Sequence, residues 1–271
     1  MKTYCVTHKK ISHLNKVNLI PFGVGSKKYP KDYLKDNSYI NIAYKNKNFG
    51  DLTFHYWYWK NLLNSKSKEW IGICQYRRFF VEKKFKKNIS NSKISKEIIK
   101  KHKLENIILK KVPKEWKKYQ AILCDPWDLK EIKLSKLLKR GLRNILKDPL
   151  ILFIKKKRNI NLHFDMWHGY GNLNKAIDLL STKYREDFRK YCNIQNHTEA
   201  NNMFYSKPKI MNELYKDLFD WLFKCEKIFN KKELIGYDLQ RIYCFLSERF
   251  IPFWFKKNVK FTHWPWIFYE E

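Results

Sequence analysis

Carboxylates are scarce in this 271-residue chain: 26 Asp and Glu stand against 57 Lys and Arg, leaving a formal charge of +31. That excess implies polyanionic surroundings, either nucleic acid or an anionic membrane face, and carries no information about fold. No two of the acids are spaced as D-x-D, so the usual carboxylate–metal grip on a diphosphate is not visible. Cysteine is equally thin. Cys5, Cys74, Cys124, Cys192, Cys225 and Cys244 are scattered without a C-x-x-C pair, which argues against a zinc ribbon or a thioredoxin-like site. Cys5, Cys74 and Cys124 fall in strand-like runs and read as small buried apolar residues of a reduced cytosolic protein. No window approaches the roughly 18 apolar residues needed to span a bilayer. The opening Met1-Lys2-Thr3-Tyr4 is not followed by the apolar core of a signal peptide. These absences predict a soluble or peripheral protein on the cytoplasmic side.

Hydrophobic residues make up 44% of the chain and aromatics 17%, enough for a packed core and against global disorder. The length suits a single good-sized α/β domain over 1–271, with a basic amphipathic excursion at about 129–158. Lys2–His8 and Tyr119–Cys124 read as strands, and Pro208 opens a long amphipathic helix through Phe229. Phe85–Lys118 is lysine-rich with Ile94, Ile98, Ile99 and Leu104 at loose helical spacing, as in a solvated helical excursion. In the excursion after it, Leu129, Ile132, Leu137, Leu138, Ile145 and Leu146 form an approximate apolar stripe amid lysines and arginines. Such a helix either packs its leucines on the core or lies on an anionic membrane surface.

The most informative stretch is Asp51–Phe80, DLTFHYWYWKNLLNSKSKEWIGICQYRRFF. Its first half places Leu52, Tyr56, Trp59 and Leu63 on one helical face. A polar turn follows, then a short apolar strand at Trp70–Cys74 that runs into Gln75-Tyr76-Arg77-Arg78. Ligands bind outside the carboxyl ends of strands in open α/β sheets. Two arginines there are suited to a phosphate, because the guanidinium fork makes bidentate, charge-assisted hydrogen bonds. Two solvated arginines at a strand end are the bland alternative.

YWYWKN followed by IGICQYRRFF resembles the signature of a bacterial family first catalogued as a domain of unknown function (number 4422). The signature has a tyrosine-tryptophan-x-tryptophan-lysine-asparagine block, then isoleucine-glycine-leucine-x-histidine-tyrosine-arginine-arginine-tyrosine-phenylalanine. A second stretch, GYDLQRIYCFLSERFIPFW at 236–254, is similar to the family's glutamine-x-arginine and phenylalanine-leucine-serine-glutamate-arginine segment, and NNMFY at 201–205 to its tyrosine-asparagine-methionine-phenylalanine strand. Members occur in capsular and exopolysaccharide clusters and are regarded as glycosyltransferases. The resemblance therefore implies a GT-A-like nucleotide-sugar fold, a mixed central sheet flanked by helices. One departure stands inside the signature: the family's histidine is Gln75 here, which hydrogen-bonds sugars or phosphates but does not titrate near neutrality.

With the resemblance, Gln75, Tyr76, Arg77, Arg78 and Lys60 are candidates for donor and phosphate contact. Gly23 and Gly25 join them, in a loop where positive φ or close backbone approach is available, although a plain turn explains both glycines as well. Asp125, directly after a strand, His168, Asn202, Gln240 and Arg241 are candidates for holding sugar or acceptor; Asp125 before proline is also a common turn opener. Asp238 and Glu248 are the local carboxylates able to take a proton from an acceptor hydroxyl. The alternative for Glu248 is a structural ion pair with Arg241 or Arg249. Trp264-Pro265-Trp266 offers a stacking platform for sugar rings. His163 and His168 with Asp165, in a loop ahead of a helix near Asn172, lack the partner of a standard metal motif, and no metal ligands are assigned.

The leading reading is a glycosyltransferase that moves a sugar from a nucleotide-sugar donor to a surface-polysaccharide or lipid-linked glycan, peripheral on the inner face of the cytoplasmic membrane. No tightly bound cofactor is expected, and participation of Mn²⁺ or Mg²⁺ stays open. The other classes are a basic nucleic-acid-binding protein, against which no helix-turn-helix, RNP or zinc-finger pattern is found, and a non-catalytic scaffold at the membrane.

Overall fold

A computed structural model of the chain describes residues 1–11, 17–85, 102–199, 201–229 and 234–269. The chain forms two compact units. The first is Met1–Asp125, Asn201–Lys216 and Trp254–Glu271, and the second is Pro126–Ala200 and Asp217–Phe253.

The first unit is built on a sheet. Its strands are β1 (Lys2–Thr7), β2 (Ile20–Gly23), β3 (Leu34–Lys35), β4 (Ile71–Gln75), β5 (Arg78–Phe80) and β6 (Ala121–Cys124). In the second unit β7 (Trp127–Asp128) pairs with β8 (His197–Thr198). The first unit's sheet is completed by β9 (Phe204–Ser206), β10 (Phe261–Trp264) and β11 (Trp266–Phe268). Among the described residues nine strands share it, in the order β10-β6-β9-β4-β1-β2-β3, with β5 bridging β4 and β11. β1 is parallel to β2 and β4, β6 is parallel to β10, and β9 runs antiparallel between β4 and β6. It follows that β1, β2, β4, β6 and β10 all end at one rim of the sheet, and β9 begins there. This is the mixed α/β architecture expected from the sequence.

Both faces of the sheet are covered, which is why its central strands read as short unbroken apolar runs. On one face Tyr4 and Phe22 meet Phe54 of the helix Leu52–Asn61, with ring centroids 5.5 and 4.7 Å apart. On the other, Cys5, Cys74, Ile122, Tyr205, Phe80, Trp116 and Trp264 share one buried cluster. Gly72 pairs in register with Tyr205, and a Cβ at that position would run into the Tyr205 ring. Glycine is required there because the neighbouring strand's aromatic lies over it. The three strand cysteines are buried, as expected.

The helix Leu52–Asn61 differs from its expected orientation. Leu52, Phe54, His55, Trp57 and Tyr58 are buried, whereas Tyr56 and Trp59 are only partly covered and Leu63 lies beyond the helix end. A helix packed on several sides loses its single stripe. His55, placed on no face by periodicity, is fully buried with Nδ1 3.1 Å from the Tyr215 hydroxyl. One further expectation is corrected. Trp264 is core rather than platform, its indole donating to the Val81 carbonyl at 2.8 Å, and Trp266 donates to the Asp125 carbonyl at 3.0 Å. Of the helical excursion at 85–118, Ile94, Ile98 and Ile99 lie outside the described residues; the rest holds a turn of helix at Leu104–Ile107 and a 3-10 helix at Lys114–Lys118.

The second unit is helical. Tyr184 and Phe188 from the helix Thr182–Ile194 pack with Trp221, Phe250 and Phe253, mostly edge-on. HFDMWHGY, expected as a loop, supplies most of the helix Ile160–His168, capped by Asn159, whose side chain accepts from the Leu162 N–H. The basic segment folds into the helices Leu134–Arg140 and Leu142–Lys147 and two 3-10 turns. Its apolar residues do not form one stripe. Leu137, Ile145 and Ile151 join Leu162 and Met166 in a buried cluster, while Leu138 and Leu146 are exposed. Arg158, the last residue of this basic segment, is buried. Its guanidinium donates to the carbonyls of Lys130, Ile132, Ile151 and Leu152 at 2.8 to 3.3 Å and ties the ends of the segment together.

Candidate functional site

The rim where β1, β2, β4, β6 and β10 end gathers most of the residues singled out by the signature. Gln75 closes β4, Tyr76 and Arg77 turn the chain, and Arg78 opens β5. Gly23 ends β2, His8 follows β1, Asp125 follows β6, and Asn201 and Asn202 lead into β9.

Gln75 is the hub. Its amide Nε2 donates to the Asp51 carboxylate at 3.0 Å and to the Asn201 carbonyl at 2.8 Å, and its Oε1 accepts from Arg78 Nη1 at 2.7 Å. Asp51, at the amino end of the helix Leu52–Asn61, takes a second amide hydrogen bond from Asn202 Nδ2 at 3.2 Å. One carboxylate thereby joins two asparagine- and glutamine-bearing strand ends. Asp51 escaped the sequence reading. Its only signal was its place as the N-cap residue, one position before the helix Leu52–Asn61.

Asn201 and Asn202 both adopt positive φ, +88° and +52°. Asparagine tolerates this region better than most residues, and consecutive residues held there store strain of the kind found at binding sites. The Asn201 side-chain nitrogen is buried and has no hydrogen-bond partner among the described residues.

The arginine pair divides its work. Arg78 is held by Gln75 and lies 5.3 Å from the Phe268 ring centre. Arg77 rests its guanidinium 5.2 Å from the Tyr76 ring centre, with its carbonyl accepting from the Tyr269 N–H, and its head group makes no hydrogen bond within the described residues. Beside it, His8 stacks edge-on against Tyr76 at 4.9 Å, its Nε2 3.4 Å from the Tyr76 hydroxyl, and Lys9 lies 5.6 Å from the same ring. Arg77, His8 and Lys9 therefore collect around one tyrosine at the mouth of the parallel strands. This is a half-exposed basic corner of the type that binds phosphate oxygens.

Gly23 and Gly25 have reasons of their own. The Tyr29 ring packs over Gly23, and its hydroxyl donates to the Val24 carbonyl at 2.6 Å. Gly25, at φ +80°, donates its N–H to Asp36 at 3.4 Å. Asp36 is buried and also accepts from Thr53 at 2.5 Å. Burial raises its pKa while these donors pull it down. Lys60 is not brought to the rim. Nine residues along a helix that starts at the rim, it stacks over Trp59 at 3.4 Å, roughly 13 Å along the axis at 1.5 Å per residue.

The second unit holds the remaining candidates in a cluster of its own. His168 stacks on Phe245 with ring centres 3.9 Å apart, and its Nδ1 lies 3.0 Å from the Asp238 carbonyl oxygen. Burial, with the Arg249 charge adding to it, lowers its pKa to about 3, so it is neutral at physiological pH. The Asp238 carboxylate pairs with Arg140 at 3.1 Å, and both are partly exposed. Arg241 lies 5.2 Å from the Tyr237 ring centre, and Gln240 ends the short helix Tyr237–Gln240. Glu248 accepts from Arg249 Nη1 at 3.0 Å, while Arg249 Nη2 lies 3.3 Å from His163 Nδ1. Arg249 is thus a partner of Glu248, in keeping with the structural ion pair that the sequence offered as the alternative. A cavity of 360 Å³ opens beside this cluster, lined by Trp167, Tyr237, Asp165 and Asp238 among others. Among the described residues no group of three or more His, Cys, Asp and Glu side chains is placed to hold a metal ion.

Sheet order, two covered faces and a polar rim at the carboxyl ends of the parallel strands define a mixed α/β fold of the GT-A-like type. It is similar to the apo structure of the bifunctional glycosyltransferase WbbM, with a TM-score of 0.67 and 19% identity over 100% of this chain and 45% of that one. The chain therefore spans less than half the length of that protein's chain. The chain belongs to the family described as "Domain of unknown function (DUF4422)", which matches residues 2–259. No curated protein matches it.

Proposed function

We propose that the protein is a glycosyltransferase that binds the diphosphate of a nucleotide sugar at the basic corner of Arg77, His8 and Lys9. The observation that carries this reading is the position of Arg77. Among the described residues its guanidinium makes no hydrogen bond at the rim where parallel strands end, while its neighbour Arg78 is held by Gln75. GT-A-like fold and family membership support the same class of chemistry.

In the reaction the acceptor hydroxyl attacks the anomeric carbon, the bond from that carbon to the diphosphate oxygen breaks, and the hydroxyl proton passes to a carboxylate. Arg77 neutralises charge as it builds on the leaving nucleoside diphosphate, an electrostatic contribution that is large in a pre-arranged site. Asp51, Gln75 and Asn202 hold the rim in shape, and Asp125 and Asn202 offer hydrogen bonds to sugar hydroxyls. Asp238 and Glu248 are the candidate proton acceptors, and His168, Gln240 and Arg241 are candidate sugar contacts. The acceptor we assign is a surface-polysaccharide or lipid-linked glycan, met by the protein as a peripheral component of the inner membrane face.

The test is calorimetric titration and thermal shift with UDP, GDP and CDP and their sugars, with and without Mn²⁺. One nucleotide class should bind saturably and raise Tm by linkage, and Arg77→Ala should weaken that binding. No response to any nucleoside diphosphate would overturn the reading. The Mn²⁺ arm reads whether a metal shares the work of Arg77.

A further inference from the structure

Large aliphatic side chains recur every fourth residue through the basic segment: Leu134, Leu138, Leu142, Leu146, Leu150 and Ile154. All six are exposed, together with Phe153; Leu146 keeps 75% and Phe153 79% of its surface in solvent. The segment is already anchored from its other side, where Leu137, Ile145 and Ile151 are buried. These exposed side chains are therefore apolar surface that the packing of the segment leaves uncovered. Seven exposed large apolar side chains concentrated in one short segment mark an interaction surface.

Charge narrows the occupant. Residues 129–158 carry eleven lysines and arginines against two acids. Some of these cations are paired, Arg140 with Asp238, Lys155 with Glu131 and Lys157 with Asp148. Lys133, Lys139 and Lys156 are exposed and make no ion pair among the described residues. A second copy of the chain would bring this basic face against itself. A nucleic acid would meet the cations and leave the leucines in water. Only an anionic lipid surface satisfies both, taking the leucines into its acyl boundary while the lysines reach up to its head groups. Among the described residues no helix is long and apolar enough to cross a membrane, so the contact is with the surface.

The face is also preformed. Arg158 clasps four carbonyls at the two ends of the segment, and Asp148 caps the turn at Pro149–Leu152 by accepting from the Leu150 N–H. Little ordering is needed on binding, in contrast to a peptide that folds only at the bilayer.

We propose that Leu134–Ile154 is a membrane-docking face whose exposed leucines and Phe153 insert into the interfacial layer of an anionic bilayer. The proposal deepens the reading above, since it gives a lipid-linked acceptor a surface at which to be met, but the docking is measurable without any transferase activity.

The experiment is co-sedimentation of the full chain with phosphatidylcholine vesicles containing or lacking about one third phosphatidylglycerol, at low and near-physiological salt. Wild type should sediment with the anionic vesicles and not with the neutral ones. L146E/F153E, which alters only exposed side chains, should bind at least about tenfold more weakly, with nucleotide binding and Tm unchanged. K133E/K139E should weaken binding and flatten its salt dependence. Equal binding to both vesicle types, undiminished binding by L146E/F153E, or no sedimentation with anionic vesicles would overturn the proposal. So would a wild-type dimer in analytical ultracentrifugation that L146E/F153E dissolves, because the face would then belong to a second copy. Vesicle binding together with an empty nucleotide screen would sink the transferase reading and leave the docking face standing.

Discussion

The Gln75 amide donates to the Asp51 carboxylate at 3.0 Å across 24 residues of sequence, joining the end of β4 to the start of the helix Leu52–Asn61. The same amide holds Asn201, and its oxygen holds Arg78. Gln75→Ala removes all three contacts and leaves Asp51 one donor short. Hydrogen bonds to charged groups contribute about 1.5–3 kcal/mol, so a loss of about 3 kcal/mol is expected for the set. Urea unfolding reads it. Gln75→His, which restores the signature residue, should cost less than about 1 kcal/mol because an imidazole N–H can still donate to Asp51.

Arg77→Ala should leave unfolding stability within about 0.5 kcal/mol of wild type, since the half-exposed side chain makes no hydrogen bond among the described residues. Turnover should fall about 100-fold, the scale for loss of one pre-arranged electrostatic group. A single-turnover assay separates the two. An active variant would mean that phosphate is held elsewhere.

Glu248 is where structure and chemistry compete. Arg249 is buried and Glu248 nearly so, and removing one member of such a pair costs about 3–5 kcal/mol. Glu248→Ala should therefore unfold early whatever its role, and its loss of activity would prove nothing. Glu248→Gln retains an acceptor for Arg249 and should stay folded. If Glu248 takes the acceptor proton, that variant loses turnover while keeping donor affinity; full activity would confine it to the ion pair.

Acid should weaken the fold before the carboxylates protonate. Burial lowers the pKa of His55 to about 4 and that of His168 to about 3, against 6.5 when unfolded. As pH drops from 6.5 towards 4, the unfolded chain binds protons at both positions that the folded chain refuses. Stability then falls by about 1.4 kcal/mol per pH unit for each histidine. Tm measured from pH 7.5 to 5 should show this slope, to which buried His163 adds in the same direction, and His55→Asn should make it shallower.

How much was readable in advance follows from the range of each interaction. The strands β1, β4 and β6, the helix from Pro208 and the arginine pair at the end of β4 were legible because apolar run length, helix entry and strand-end position are local properties. The sequence alone determined that chain order, the overwhelming positive charge and the family signature. It did not determine which face of the Leu52–Asn61 helix is buried, because that helix is packed on several sides and its pattern is nearly saturated with aromatics. Nor did it tell Leu137 and Ile145 from Leu138 and Leu146, which are equally apolar and differ only in what lies opposite. Trp264, Arg158 and Asp51 were misread or missed for the same reason. A tryptophan becomes core, an arginine becomes a clasp and an aspartate becomes a hub only through partners far away in sequence. Tertiary structure decided these, since burial and hydrogen bonding belong to the neighbours that folding supplies and not to the residue itself.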